Sequence, residues 1–173
     1  PLVLREGPAP APPPKPWALT GCSGREPNMI RSLYLVEGEL EELNIAIQKK
    51  YQDITANEIR YREEFAEDCD LLLVAYGTSA RICKAAMENC RKRGIKVGLV
   101  RPVSLWPFPV EAVAGFASKA KNVLVVEMSA GQMLEDVRLA TGGAGNINFF
   151  GRMGGGVPTT KEVEAKIMDI AGK

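Results

Sequence analysis

The chain is 173 residues long, 46% apolar and 25% charged, the proportions of a folded globular domain, which excludes collagen-like and wholly disordered classes. It contains no histidine, so neither a Ser-His-Asp or Cys-His nucleophile nor a His-ligated metal site can form. Lys and Arg number 22 against 21 acids, a formal charge of +1 that argues for protein or small-molecule partners and against nucleic acid or an anionic membrane.

The chain opens at Pro1 rather than at methionine, which leads us to expect a fragment or processed product. Eight of its twelve prolines fall in the first 27 residues, and the run from Pro8 to Pro16 favours polyproline geometry. Such a segment serves as a spacer or surface strap, with an SH3-type ligand as the alternative. From Val36 to Ile54, Leu40, Leu43, Ile47 and Tyr51 recur at helical spacing after a group of acids, predicting an amphipathic helix. Residues 57–68 are highly charged and predict an exposed helix or connector. Residues 1–69 are therefore expected to be a Pro-rich linker plus an amphipathic helical connector, and residues 70–173 an α/β domain.

Beyond Asp70, apolar runs and amphipathic stretches alternate. Leu71–Tyr76 predicts a buried strand, and Gly77-Thr78-Ser79 opens a helix with Ile82, Ala86 and Cys90 on one face, stopped at Gly94. Further strands are expected at 96–101, 122–127 and 147–150, with helices at 110–119 and 131–141. A last helix starts near Thr160, where Thr159 and Glu162 have capping-box spacing, and runs to Ala171. This order calls for a mainly parallel sheet with helices on both faces.

In such a sheet ligands lie at the carboxyl ends of the strands. Those positions carry Gly77-Thr78-Ser79, Arg101-Pro102, Glu127-Met128-Ser129 and Gly151-Arg152. One reading is an anion or partner site, in which Arg101 or Arg152 and the helix N-termini hold a phosphate or carboxylate. The other is that these are turn and capping residues, with the arginines paired to acids across a subunit interface. Glu127 is either a general base or a structural carboxylate. Gly142–Gly145 fails the dinucleotide fingerprint, because Asn148 stands where its third glycine belongs, and is expected to be a helix-to-strand loop. Gly77-Thr78-Ser79 lacks the ending of a P-loop, so no ATP site is expected there. Gly154-Gly155-Gly156 predicts a positive-φ segment that is either mobile or closely approached by another backbone. The proline-framed loop Arg101–Pro109 brings Trp106 and Phe108 just past a strand end, either to cap their own core or to anchor in another subunit. Cys22, Cys69, Cys83 and Cys90 form no Cys-x-x-Cys pair; no metal is expected, and the thiols should be reduced in the cytoplasm.

Leu72–Arg81, Gly94–Pro109, Val125–Met133, Phe150–Gly154 and Pro158-Thr159 together resemble, in order, the carboxyl-terminal part of the alpha subunit of 2-oxoacid:ferredoxin oxidoreductases, most nearly the 2-ketoisovalerate type. The resemblance implies a three-layer, doubly wound, mainly parallel five-stranded sheet like the transketolase carboxyl-terminal domain. It also implies an enzyme that decarboxylates a 2-oxoacid on thiamine diphosphate, passes electrons through iron-sulfur clusters to ferredoxin and forms an acyl-CoA. The thiamine-activating carboxylate would belong to an upstream pyrimidine domain, the diphosphate and magnesium site to a beta subunit, and the clusters to a ferredoxin-like subunit beside a gamma subunit. On that reading this piece holds no catalytic, cofactor-binding or metal residue. Gly77, Ser79, Arg101, Pro102, Trp106, Pro107, Phe108, Pro109, Gly131, Gln132, Gly151, Arg152, Gly154 and Pro158 would instead be motif or interface positions, some of them near the CoA path. Two rivals remain: a nucleotide-binding regulatory α/β module, and a stand-alone interaction domain joined through the polyproline strap.

Overall fold

The computed structural model describes residues 7, 8 and 11–172; residues 9 and 10 of the proline run, like the chain's first six residues and its last, lie outside them. The chain divides into two compact units, Pro1–Ala46 and Ile47–Lys173. In the first, the described backbone up to Gly38 forms turns, bends and irregular segments, and Trp17, Leu19, Met29, Ile30, Leu33 and Leu35 are exposed. Helix α1 (Glu39–Asn57) begins after Gly38, at φ +88°, somewhat later than the apolar spacing predicts, and buries no residue.

The second unit carries a five-stranded sheet built from β1 (Tyr61–Glu64), β2 (Leu71–Ala75), β3 (Val97–Pro102), β4 (Asn122–Glu127) and β5 (Asn146–Gly151). The spatial order is β1-β3-β2-β4-β5, with β1 antiparallel to β3 and all other pairs parallel. Helices α2 (Gly77–Lys92) and α5 (Thr160–Ile170) cover one face, and α3 (Val110–Ala117) and α4 (Gln132–Ala140) the other. Strand β1 corrects the expectation of an exposed helix or connector over 57–68. Its Tyr-Arg-Glu-Glu sequence carries little strand propensity, and backbone pairing along β3 imposes the extended form.

The continuous apolar runs follow from burial on both faces. Leu71, Leu73, Val97, Leu99, Leu124 and Val126 pack with Cys83, Met87, Cys90, Val163 and Ile167, while Leu72, Val74, Val100, Val123 and Val125 pack with Val113, Met133, Leu134 and Val137. Leu72 and Leu73 are fully buried, each contributing about 2 kcal/mol from apolar area removed from water. The chain steps from β2 to β3 on one side and, after crossing back, from β4 to β5 on the other. The sheet therefore reverses its direction of growth between β2 and β4, with the ends of those two strands flanking the crevice.

Candidate functional site

The four parallel strands bring Arg101-Pro102, Tyr76-Gly77, Glu127 and Gly151 to one edge of the sheet, in the spatial order β3, β2, β4, β5. At the switch point Glu127 is fully buried. Its Oε2 accepts the Ser129 hydroxyl at 2.5 Å and the Met133 amide at 3.0 Å, and its Oε1 accepts the Leu134 amide at 3.2 Å. Glu127 thus supplies to α4 the negative charge and acceptors that its N-cap, Gly131 at φ +111°, cannot offer. Gln132, the first helical residue, points to solvent. Of the two readings of Glu127, the geometry is that of the structural carboxylate. The carboxyl of nearby Asp136 is raised above its ordinary range, first by partial burial and then by the charges of Glu135 and Glu127.

The other strand ends divide by what satisfies them. Ser79 is buried inside the first turn of α2, which Gly77 enters at φ +55°. Beyond β5, the Arg152 amide donates to the Glu127 carbonyl at 3.1 Å and the Arg152 guanidinium pairs with Glu162 at 2.9 Å. Glu162 Oε2 also accepts the Thr159 amide at 2.8 Å, and the Thr159 hydroxyl receives the Glu162 amide at 3.2 Å, completing the capping box of α5. These Thr159 bonds, with Arg152 contributing less, hold the Glu162 carboxyl below its ordinary range. Arg152 therefore finds its acid within the chain. Arg101 does not: its Nε is buried with no hydrogen-bond partner among the described residues. Gly154 and Gly155 adopt φ +60° and +84° in an exposed turn, and Pro158 is buried just before α5.

The loop after β3 separates its two large aromatics. Pro102, Pro107 and Pro109 are buried, and Phe108 is half-buried against the core beneath α3 and α4. Trp106, joined to Pro107 by a cis peptide, is 59% exposed and meets Tyr51 edge to face at 5.3 Å between centroids. Alongside, a cleft of about 580 Å³ is lined by Thr55, Ile59, Tyr61, Phe108 and Val110. Among the described residues no three His, Cys, Asp or Glu side chains gather to hold a metal, and no helix is long and apolar enough to cross a membrane. Burial pushes the Cys83 thiol up to about 12 and the Cys69 thiol to about 11, the reverse of an activated nucleophile.

Tyr51 and Tyr61 belong to this surface, and Arg62 lies on the opposite face of β1 beside Arg101; all three are missed by motif reasoning. The alternation Ile59-Arg60-Tyr61-Arg62 is the available signal, since a period of two marks an edge strand even where charges dominate.

Residues 69–163 match the family model described as pyruvate:ferredoxin oxidoreductase core domain II. The ketoisovalerate oxidoreductase subunit VorB of Methanothermobacter marburgensis is 41% identical over 157 residues, 91% of this chain and 44% of that protein. The 2-oxoglutarate synthase subunit KorA of Archaeoglobus fulgidus is 32% identical over 116 residues, 66% of this chain and 32% of that protein. Among solved structures, the 2-oxoglutarate:ferredoxin oxidoreductase of Magnetococcus marinus, with 2-oxoglutarate, coenzyme A and succinyl-CoA bound, superposes with TM-score 0.67 at 21% identity, over 79% of this chain and 24% of that one. A split-gene transketolase superposes with TM-score 0.52 at 20% identity, over 64% and 40%. At these identities the two structures show the fold, and it is the transketolase-like, mainly parallel five-stranded sheet implied by the sequence resemblance. The chain spans less than half the length of the VorB proteins it matches.

Proposed function

Because the chain belongs to the pyruvate:ferredoxin oxidoreductase core domain II family, we propose that it is the carboxyl-terminal domain of the alpha subunit of a cytoplasmic 2-oxoacid:ferredoxin oxidoreductase, of the 2-ketoisovalerate type. The complete enzyme would convert a 2-oxoacid and CoA to acyl-CoA and carbon dioxide, passing electrons to ferredoxin. Thiamine diphosphate, magnesium and iron-sulfur clusters would supply carbanion stabilisation and electron transfer from other domains and subunits. The residues present here do not suit such groups. The fully buried carboxylate, Glu127, is saturated by α4 and Ser129, and the buried cysteines are packed into the core.

In this reading the domain works by assembly. The observation that carries it is the exposed apolar surface around Trp106, where Tyr51, Ile59, Tyr61, Leu105 and Val110 are each more than 40% exposed. Contiguous surface of this kind marks a protein interface, and aromatic anchors dominate interface energy. The test is to purify the complex through a tag on a partner subunit, with Leu105→Ala and Trp106→Ala introduced together in the alpha subunit. The expected result is loss of the alpha subunit from the complex; retention with unchanged turnover would overturn the reading.

A further inference from the structure

The antiparallel register pairs Arg62 of β1 directly with Arg101 of β3. Directly opposed residues project from the same face, so two like charges leave the edge side by side, an arrangement that is destabilising without a counter-charge. The same face carries the next pair, Glu64 and Leu99, and Glu64 is taken by Lys84 of α2 at 2.6 and 2.8 Å. Stepping one turn from Lys84 toward the start of α2 moves along the sheet from the Glu64–Leu99 pair toward Arg62–Arg101, and that step reaches Arg81. Register and helix spacing therefore place three arginines on the same face beside the carboxyl end of β3.

No acid among the described residues pairs with them. Glu58 pairs with Arg60, Glu64 with Lys84 and Asp68 with Arg91 and Lys96. Glu63 and Glu127 lie on the opposite face of the sheet, where they accept backbone amides. Among the described residues none of the three arginines forms an ion pair or side-chain hydrogen bond, and Arg101 Nε is buried with its donor unmet. A buried orphan donor on a guanidinium costs free energy that an oxyanion would recover. The first turn of the 16-residue α2 adds to the same field, carrying no acid and no side-chain cap.

We propose that Arg62, Arg81 and Arg101 form a phosphate-binding site at the β1–β3 edge, beside the start of α2. Three guanidinium groups call for more than the single charge of a carboxylate, and a phosphate or phosphoanhydride group supplies both the charge and the acceptor fork that arginine matches. The group is either free phosphate or phosphate carried on a nucleotide.

Calorimetric titration of the 173-residue chain with pyrophosphate, ADP and adenosine at low and high salt tests this. Saturable, salt-sensitive binding of pyrophosphate and ADP, but not of adenosine, is expected. ADP binding more tightly than pyrophosphate identifies a nucleotide as the source, and equal affinities identify free phosphate. Arg101→Gln should weaken binding about tenfold, the size of one charge-assisted hydrogen bond, with partial recovery in Arg101→Lys. Arg62→Gln, at an exposed edge position that does not threaten the fold, should weaken it in the same direction. No saturable binding, or equal binding by wild type and Arg62→Gln, overturns the proposal.

Discussion

The carboxylate of Glu127, the last residue of β4, accepts the amide of Met133 at 3.0 Å in the first turn of α4. One buried side chain thereby fixes where strand β4 ends and how α4 leaves the switch point. Replacing Glu127 by Ala orphans the Met133 and Leu134 amides in a dry environment, a loss of about 2–4 kcal/mol. Ser129→Ala removes one charge-assisted bond, and about 1–2 kcal/mol is expected. Urea unfolding read by circular dichroism measures both; a Glu127→Ala chain unfolding at the wild-type midpoint would remove Glu127 from this role.

Two glycines permit close backbone approach at the sheet. A Cβ on Gly98 would lie 2.6 Å from the Phe65 carbonyl oxygen and 2.9 Å from Cys69 Sγ, and one on Gly151 would lie 2.5 Å from the Ser129 carbonyl oxygen. Those oxygens belong to backbone that cannot swing aside, so Gly98→Ala and Gly151→Ala should each cost about 1–3 kcal/mol. Gly115, inside α3 with nothing within 4 Å of its would-be Cβ, behaves oppositely. Gly115→Ala should stabilise by about 0.5–1 kcal/mol through helix propensity. Thermal melts of the three variants should therefore shift in opposite directions.

At α5, the Thr159 hydroxyl and the Glu162 carboxylate cap each other's backbone amides. Thr159→Ala should cost about 1 kcal/mol, the usual worth of an N-cap. Because the folded state holds the Glu162 carboxyl below its ordinary range, this contribution is present above the pKa of an unfolded glutamate. It is lost as pH falls through the lower folded value. Wild type and Glu162→Gln should thus differ in stability at neutral pH and converge in acid; a difference independent of pH would contradict the bond pattern.

Strands β2 and β4 are legible because burial on both faces writes them as continuous apolar runs, and the α5 cap because Thr159 and Glu162 stand three apart. Strand β1 is not: its pairing is a tertiary event, and its charged side chains resemble any solvated connector. The Arg62–Arg101 pairing is invisible for the same reason, since it exists only in the register of a strand that the sequence does not announce. Glu127 stands out as a strand-end carboxylate, yet its meaning depends on α4 folding back over it. Arg152 and Arg101 look equivalent in sequence, and only the fold shows that Glu162 reaches one of them and no acid among the described residues reaches the other.

Trp106 and Phe108 sit two residues apart in one proline-framed loop but should respond differently to truncation. Phe108 is half-buried against the core under α3 and α4, so Phe108→Ala should destabilise the isolated chain by about 2 kcal/mol, less than a fully buried phenylalanine. Trp106 is 59% exposed and its main partner is the edge of Tyr51. Trp106→Ala should cost the isolated chain about 1 kcal/mol or less, the worth of one edge-to-face pair. On the proposed assembly role the order should reverse in the complex, because a tryptophan that filled a pocket on a partner would carry far more there than it does alone. Urea midpoints of the isolated chain, set beside size-exclusion profiles of the complex, read the two effects separately. A Trp106→Ala chain as unstable as Phe108→Ala, with the complex intact, would place Trp106 in the domain's own packing and leave the assembly surface without its anchor.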